Sequence, residues 1–297
     1  MAIYFWDLYS RVYNSNNFGD DINPAILKKL FKKEIIESDR ICIVGIGTLI
    51  DSDKMDTIKN YEKKIIFSSG AGYGSRPDIF DSSWEVACVR GPVTCEWLGL
   101  DVNKAITDGA VLLDTIFSDD AIPESTNVKP SSRNNIVFVP HIRTHWRIGN
   151  ILKEICFAKD MVYLPPDQDP DRFVRTIRES DLALCEAMHG AIVADTVRTP
   201  WVCCSLLYHN EFKWRDWCAS VDVSYNVIRI PAQVAWIQGP LFERGLRRLA
   251  RPVNKKRLEN ELGKARHAKP SLSDASLLAD KKGALWDAVA HVNATYS

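Results

Sequence analysis

Leu182-Ala-Leu-Cys-Glu-Ala-Met-His-Gly-Ala-Ile-Val-Ala-Asp195 is the stretch whose reading decides the fold. Leu182–Cys185 is apolar on both phases, as a strand covered on both faces must be. Glu186 and Ala187 turn the chain, and His189-Gly190-Ala191 opens a run of small residues at helical spacing. A buried strand feeding directly into a helix is half of a βαβ unit, which implies a parallel sheet.

The same alternation continues on either side. Strands are expected at Ile3–Trp6, Ile41–Ile46, Lys64–Ser68, Glu85–Val89, Asn135–Val139, Met161–Leu164, Trp201–Ser205 and Val227–Ile230. Helices fall near Asp20–Phe31, Asp51–Lys59, Gly91–Leu98, His145–Cys156, Pro170–Glu179, His189–Val197 and Glu211–Ala219. Ser118–Asn134 is rich in Ser, Pro and charge and reads as a linker. The division is therefore a Rossmann-like domain over 1–117, the linker 118–134, a second Rossmann-like domain over 135–230, and a helical, basic C-terminal extension over 231–297. The fold class is α/β, with two such domains facing across a cleft.

Composition sets the outer limits. The chain has 297 residues, 46% hydrophobic and 26% charged, with 38 basic and 38 acidic side chains. That is an ordinary globular balance, and zero net charge argues against a nucleic-acid binder. None of the eight cysteines forms a C-x-x-C pair, and most lie in apolar runs, so they read as buried small hydrophobes in a reducing compartment. The start, Met1-Ala-Ile-Tyr-Phe-Trp-Asp7, reads as a strand rather than a signal peptide. No 18-residue apolar run is present to span a bilayer. Residues 238–269 carry ten Lys/Arg against three Asp/Glu, with Trp236, Leu241, Phe242, Leu246 and Leu249 near helical spacing. A basic amphipathic segment of that kind either packs on the domains or meets an anionic membrane surface. A last helix over about Ser273–Asn293 would bury Leu277, Leu278, Leu285, Val289 and Val292.

Chemistry-bearing residues gather after the strands. Asn17-Phe-Gly-Asp20-Asp21 opens the first helix; either acid can cap it, and an acid there also lies where such sheets bind ligands. Gly45-Ile-Gly47-Thr48 and Ser69-Gly-Ala-Gly72 follow strands, where glycines let backbone N–H groups approach an anion or a sugar or simply form tight turns. Arg90 ends a strand just before Pro92 begins a helix, a fork suited to carboxylate or phosphate. His141-Ile-Arg143-Thr-His145-Trp-Arg147 packs two imidazoles and two guanidiniums into seven residues; in extended geometry His141, Arg143 and His145 share a face. The two histidines leave metal binding open, but no carboxylate or cysteine follows at ligand spacing. At the deciding stretch, Gly190 and Ala191 leave room for a ligand at a helix start, whose free N–H groups favour phosphate, and His189 can pass a proton. Lys213-Trp-Arg-Asp-Trp217 adds two cations and two aromatics that either face a sugar or anion or meet solvent.

Asn17-Phe-Gly-Asp20, Gly45–Thr48, Val89-Arg-Gly-Pro92 and Met188-His-Gly190, in this order, resemble the polysaccharide pyruvyl transferase family, most closely the ketal pyruvyltransferases of bacterial exopolysaccharide synthesis. The resemblance spans about residues 14–220. It implies a fold similar to the GT-B glycosyltransferases and phosphoenolpyruvate as donor, with no further cofactor and no metal. It further implies a glycan or lipid-linked oligosaccharide as acceptor, and a cytoplasmic protein, a candidate for peripheral contact at the inner face of the plasma membrane. Many family members carry Arg where Ala187 stands, so the anion clamp falls to Arg90, Arg143 or Arg147. The expected roles are His189 as general acid, Asp20 orienting or deprotonating the sugar hydroxyl, and Arg90, Arg143, His141, Gly190 and Ala191 binding donor. Asn17, Asp21, Gly47, Thr48, Glu186 and Lys213 are candidates on the acceptor side. Two rival readings stand beside this one. Glu186 suits a nucleotide-sugar glycosyltransferase, and Ala187 suits a glycan-binding protein without turnover.

Overall fold

A computed structural model describes residues 3–6, 16–78, 81–115, 135–231 and 255–296. The expected linker and the Trp236–Leu249 pattern lie outside the described residues. The chain folds as two compact units, and neither is continuous in sequence. The first comprises Met1–Ser125, Asn210–Tyr225 and Ser273–Ser297; the second comprises Thr126–His209 and Asn226–Leu272.

The first unit carries an all-parallel sheet of β1 (Ile3–Tyr4), β2 (Ile41–Val44), β3 (Gly47–Thr48), β4 (Lys63–Gly70) and β5 (Trp84–Val89). Central β4 pairs with β2 and β3 on one side and β5 on the other, in registers such as Ile43↔Ile65 and Ile66↔Val86. Its helices are α1 (Phe18–Leu30), α2 (Lys33–Ile36), α3 (Ser52–Asp56) and α4 (Pro92–Leu98). Helix α4 is punctuated as its sequence dictates. Pro92 opens it, and Gly99, at φ +69°, closes it in the left-handed region.

The second unit carries a parallel sheet of β6 (Ile136–Val139), β7 (Met161–Tyr163), β8 (Leu182–Cys185), β9 (Trp201–Ser205) and β10 (Val227–Arg229), in the order β10-β9-β8-β6-β7. Its helices are α5 (Ile142–Ala158), α6 (Pro170–Arg178) and α7 (Met188–Thr196), with a further helical segment over residues 255–265. The chain runs from β6 to β7 on one side and returns to β8 on the other. The topological switch point therefore lies between β6 and β8, and ligands bind outside the carboxyl ends of strands at such a point. The turns after those two strands carry His141 and Glu186–His189.

Two segments distant in sequence complete the first unit. Helix α8 (Glu211–Ser220) packs against α4 and buries Trp214 and Trp217 completely. Those two aromatics are core, not the sugar-facing surface the sequence left open. Helix α9 (Ala275–Thr295) buries Leu278, Leu285, Val289 and Val292 as one stripe, each contributing roughly 1.5–3 kcal/mol; Leu277 stays half exposed. Asn293 accepts from the Lys32 amide and donates to the Leu30 carbonyl, both at 2.9 Å, and so covers the end of α1. All eight cysteines are buried and free. No helix among the described residues is long and apolar enough to cross a membrane.

Candidate active site

In the first unit, the acidic motif forms the first turn of α1. Asn17 is the N-cap residue; its amide donates to Asp21 at 2.6 Å and its side chain donates to Asp20, so both acids bond back to Asn17 from the first turn. Burial pushes the Asp20 carboxyl up to about 7. Its hydrogen bond from Asn17 opposes that, Asp21 adds to it, and the more distant Lys213 and Lys54 lower it. Asp20 still keeps part of its surface exposed. A carboxyl poised near neutrality can take or hold a proton under ordinary conditions. Asn17, Asp20, Asp21 and Lys213 are thus brought into one electrostatic neighbourhood.

The glycine turns hold protein groups rather than space for a ligand. A Cβ at Gly45 would meet Asn23 Oδ1 at 2.3 Å, where that side chain accepts from the Ile46 amide and donates to the Ile46 carbonyl. A Cβ at Gly70 would meet Arg90 Cζ at 2.2 Å. Gly47 is a glycine for its φ of +124°.

Arg90 corrects an expectation. Its side chain is 0% exposed, so it does not project from the strand tip. Its Nε donates to Asp216 at 2.8 Å, Nη1 to Thr48 Oγ1 at 2.9 Å and Nη2 to the Ala71 carbonyl at 2.7 Å. Asp216 also accepts from the Thr94 amide and hydroxyl at 2.8 and 2.7 Å. The guanidinium is spent on this internal knot, and Thr48 with it. Nearby Asp108 is buried, and that burial pushes its carboxyl up to about 6 against the pull of Arg90.

In the second unit, the basic motif is helical, not extended. His141 caps α5, its Nδ1 accepting from the Arg143 amide at 3.2 Å. Helical spacing then pairs Arg143 with Arg147 instead of grouping His141, Arg143 and His145. Both guanidiniums lie over the Tyr208 ring, at 5.5 and 5.3 Å from its centroid, and His141 stacks on the same ring at 5.5 Å. Arg143 and Arg147 are exposed. His145 points elsewhere, hydrogen-bonded to the Tyr163 hydroxyl at 2.8 Å, with Asp167 at 3.6 Å; burial lowers its pKa.

His189 occupies the first turn of α7, partly exposed. Gly190 and Ala191 behind it are buried, and a Cβ at Gly190 would lie 2.8 Å from Val139 Cγ1. Their small size seats the helix on β6 and β8, so the ligand room expected there is taken by strand side chains. Glu186, 1% exposed, accepts from the amides of His141, Leu206, Leu207 and Tyr208 and from the Thr144 hydroxyl, at 2.9–3.2 Å. Burial raises its pKa while these bonds oppose the rise. It is an internal group, not the acceptor contact expected from sequence. The second unit thus presents an exposed cationic, aromatic rim and a helix-borne imidazole at the carboxyl ends of adjoining strands.

Residues 4–207 match the family model described as polysaccharide pyruvyl transferase. The chain belongs to the polysaccharide pyruvyl transferase family. It is 31% identical over 247 residues to the succinoglycan biosynthesis protein ExoV of Rhizobium meliloti (strain 1021), an alignment covering 82% of this chain and 72% of that protein. The protein is accordingly a pyruvyltransferase enzyme. Several residues that shape this pyruvyltransferase escaped the sequence reading. Asp216 was hidden because its partners, Arg90 and Thr94, both lie over a hundred residues away in sequence. Tyr208 sits in a run with no motif. An acid flanked in sequence by two tryptophans, Trp214 and Trp217, was the signal that could have marked Asp216 as an internal ion-pair partner.

Proposed function

We propose that this pyruvyltransferase moves the three-carbon unit of phosphoenolpyruvate onto two hydroxyls of one sugar in an exopolysaccharide or its lipid-linked precursor, forming a cyclic ketal. C3 gains a proton and C2 becomes electrophilic. The C2–O bond to phosphate breaks, and two C2–O bonds to the sugar form. Of the two hydroxyl protons lost, one balances the proton gained at C3 and one leaves with inorganic phosphate.

The observation that carries the donor assignment is the exposed Arg143–Arg147 pair over Tyr208, at the start of a 17-residue helix and the switch point of its sheet. A carboxylate and a phosphate on one small molecule call for paired guanidiniums. In this reading Arg143, Arg147 and His141 hold the donor, and His189 is the general acid. Asp20, with a carboxyl near neutrality, orients or deprotonates a sugar hydroxyl, with Asn17, Asp21 and Lys213 about it. Arg90, closed inside the first unit, is not part of the clamp. A GT-B-like pairing of the two units belongs to the same proposal. Family membership speaks for an enzyme over a binding protein without turnover. The nucleotide-sugar alternative rested on Glu186, whose carboxylate is filled by protein donors.

Incubation with phosphoenolpyruvate and a panel of glycans should release phosphate and add a carboxyethylidene group by mass. No mass gain on any glycan, with phosphoenolpyruvate intact, would refute the donor. His189→Gln should abolish turnover while leaving phosphoenolpyruvate binding; full turnover would remove His189 from the mechanism.

Contact with an anionic membrane is the remaining part of the proposal. Its support is the charge of residues 238–269 and, in the described part, a groove of about 980 Å³ lined by Lys159, Lys256, Arg257, Lys264, Arg266 and His267 among others. Flotation should occur with liposomes containing anionic lipid and not with neutral ones; no flotation with either would end this part.

A further inference from the structure

Glu186 directly follows the middle one, β8, of three adjoining strands, β6, β8 and β9. Its Oε2 accepts from the His141 amide at 2.9 Å, where the chain leaves β6. Its Oε1 accepts from the Thr144 hydroxyl at 2.9 Å and from three successive amides after β9: Leu206 at 3.2 Å, Leu207 at 2.9 Å and Tyr208 at 3.2 Å. Successive N–H groups converging on one oxygen form an anion nest. All five partners are donors, which suits an ionised carboxylate and not a neutral acid. Burying such a charge is costly, and a side chain that only filled space here could be apolar.

The two tied loops carry the whole exposed cluster. One begins α5 and bears His141, Arg143 and Arg147. The other bears Tyr208, on whose ring those three side chains converge. The Glu186 carboxylate accepts from both loops, and the Tyr208 ring is a second contact between them.

We propose that Glu186 is a positioning residue of the donor site, its buried carboxylate joining the β6 and β9 loops so that Tyr208, His141, Arg143 and Arg147 form one anion-binding surface. This deepens the phosphoenolpyruvate reading and rests on it. Glutamine cannot replace the carboxylate. Its amide oxygen can meet only one of the two donor groups, and its NH₂ is then set against the other, donor to donor.

Glu186→Gln should therefore raise the KM for phosphoenolpyruvate about tenfold or more, by loss of at least one charge-assisted hydrogen bond. The acceptor KM should stay within about twofold, and the amides of residues 206–208 should exchange hydrogen faster. Thr144→Val removes one donor of the five. It should raise the donor KM by a smaller factor, about two- to fivefold, and it carries the test if Glu186→Gln fails to fold. An unchanged donor KM in the folded variant overturns the proposal, even with faster amide exchange. Parallel rises in both KM values also overturn it, since they report general damage. If wild type does not turn over phosphoenolpyruvate, the functional reading fails. If wild type does and the variants match it, only the role of Glu186 fails.

Discussion

Each unit buries a charge near the carboxyl ends of its strands, but the two are neutralised in different ways. In the first, Arg90 meets an opposite charge, Asp216, with both side chains 0% exposed. In the second, Glu186 meets four amides and a hydroxyl, and no cation among the described residues is paired with it. The first knot reaches across 126 positions of sequence to hold α8 against the sheet. The second gathers loops of neighbouring strands. A buried ion pair serves here to fasten a distant segment, and an amide nest serves to set loop geometry. The ion pair is the more brittle, because losing either partner strands a full charge in the interior.

The comparison breaks most visibly at Arg90. Arg90→Ala leaves Asp216 buried and unpaired, and should cost about 3–5 kcal/mol of stability, read as a shift in the denaturant midpoint. A loss below about 1 kcal/mol would mean that α8 is held by Trp214 and Trp217 alone. Gly70→Ala probes the same knot indirectly. The new methyl would fall on the guanidinium, for a cost of roughly 1–3 kcal/mol, provided Arg90 occupies the place described.

A sharper contrast comes from Asp20, a half-exposed acid in the same unit. Its pKa of about 7 lies above the unfolded value near 3.8. Between those values the native state keeps a proton that the unfolded chain has lost, so this group makes stability fall as pH rises from about 4 to 7. Asp20→Asn should flatten stability over that window. If Asp20 acts as a base, wild-type kcat should rise through about pH 7 and the variant should lose that rise. The smallest effect is expected at Gly283, exposed within α9 with nothing within 4 Å of an added Cβ. Gly283→Ala should stabilise by about 0.5–1 kcal/mol, a helix-propensity gain that neither knot touches.

Much of the local architecture was legible in the sequence. The strand Leu182–Cys185 and the helix after it fall where the apolar run and the small-residue run put them, and Pro92 and Gly99 mark α4 at both ends. What hid was whatever depends on partners far apart in the chain. Val89-Arg90-Gly91-Pro92 reads as an exposed fork until Asp216 is seen beside it. The glycines read as anion loops until Asn23 and Arg90 are found in their space. His141–Arg147 reads as extended because its charge pattern alternates, whereas the helix is set by the cap at His141 and by Ile148, Ile151, Leu152 and Ile155 beyond it. The discontinuous make-up of the first unit has no local signal at all.

Helix α9 gives that discontinuity a consequence in time. Chains emerge from the ribosome at about 5–20 residues per second, and domains fold as they are completed. The second unit has all its segments once residue 272 is out, but the first still lacks the helix that caps α1. The unit whose chain begins first is therefore completed after the other. A nascent chain stalled before Ser273 would hold a complete second unit beside an N-terminal one still waiting for its final piece.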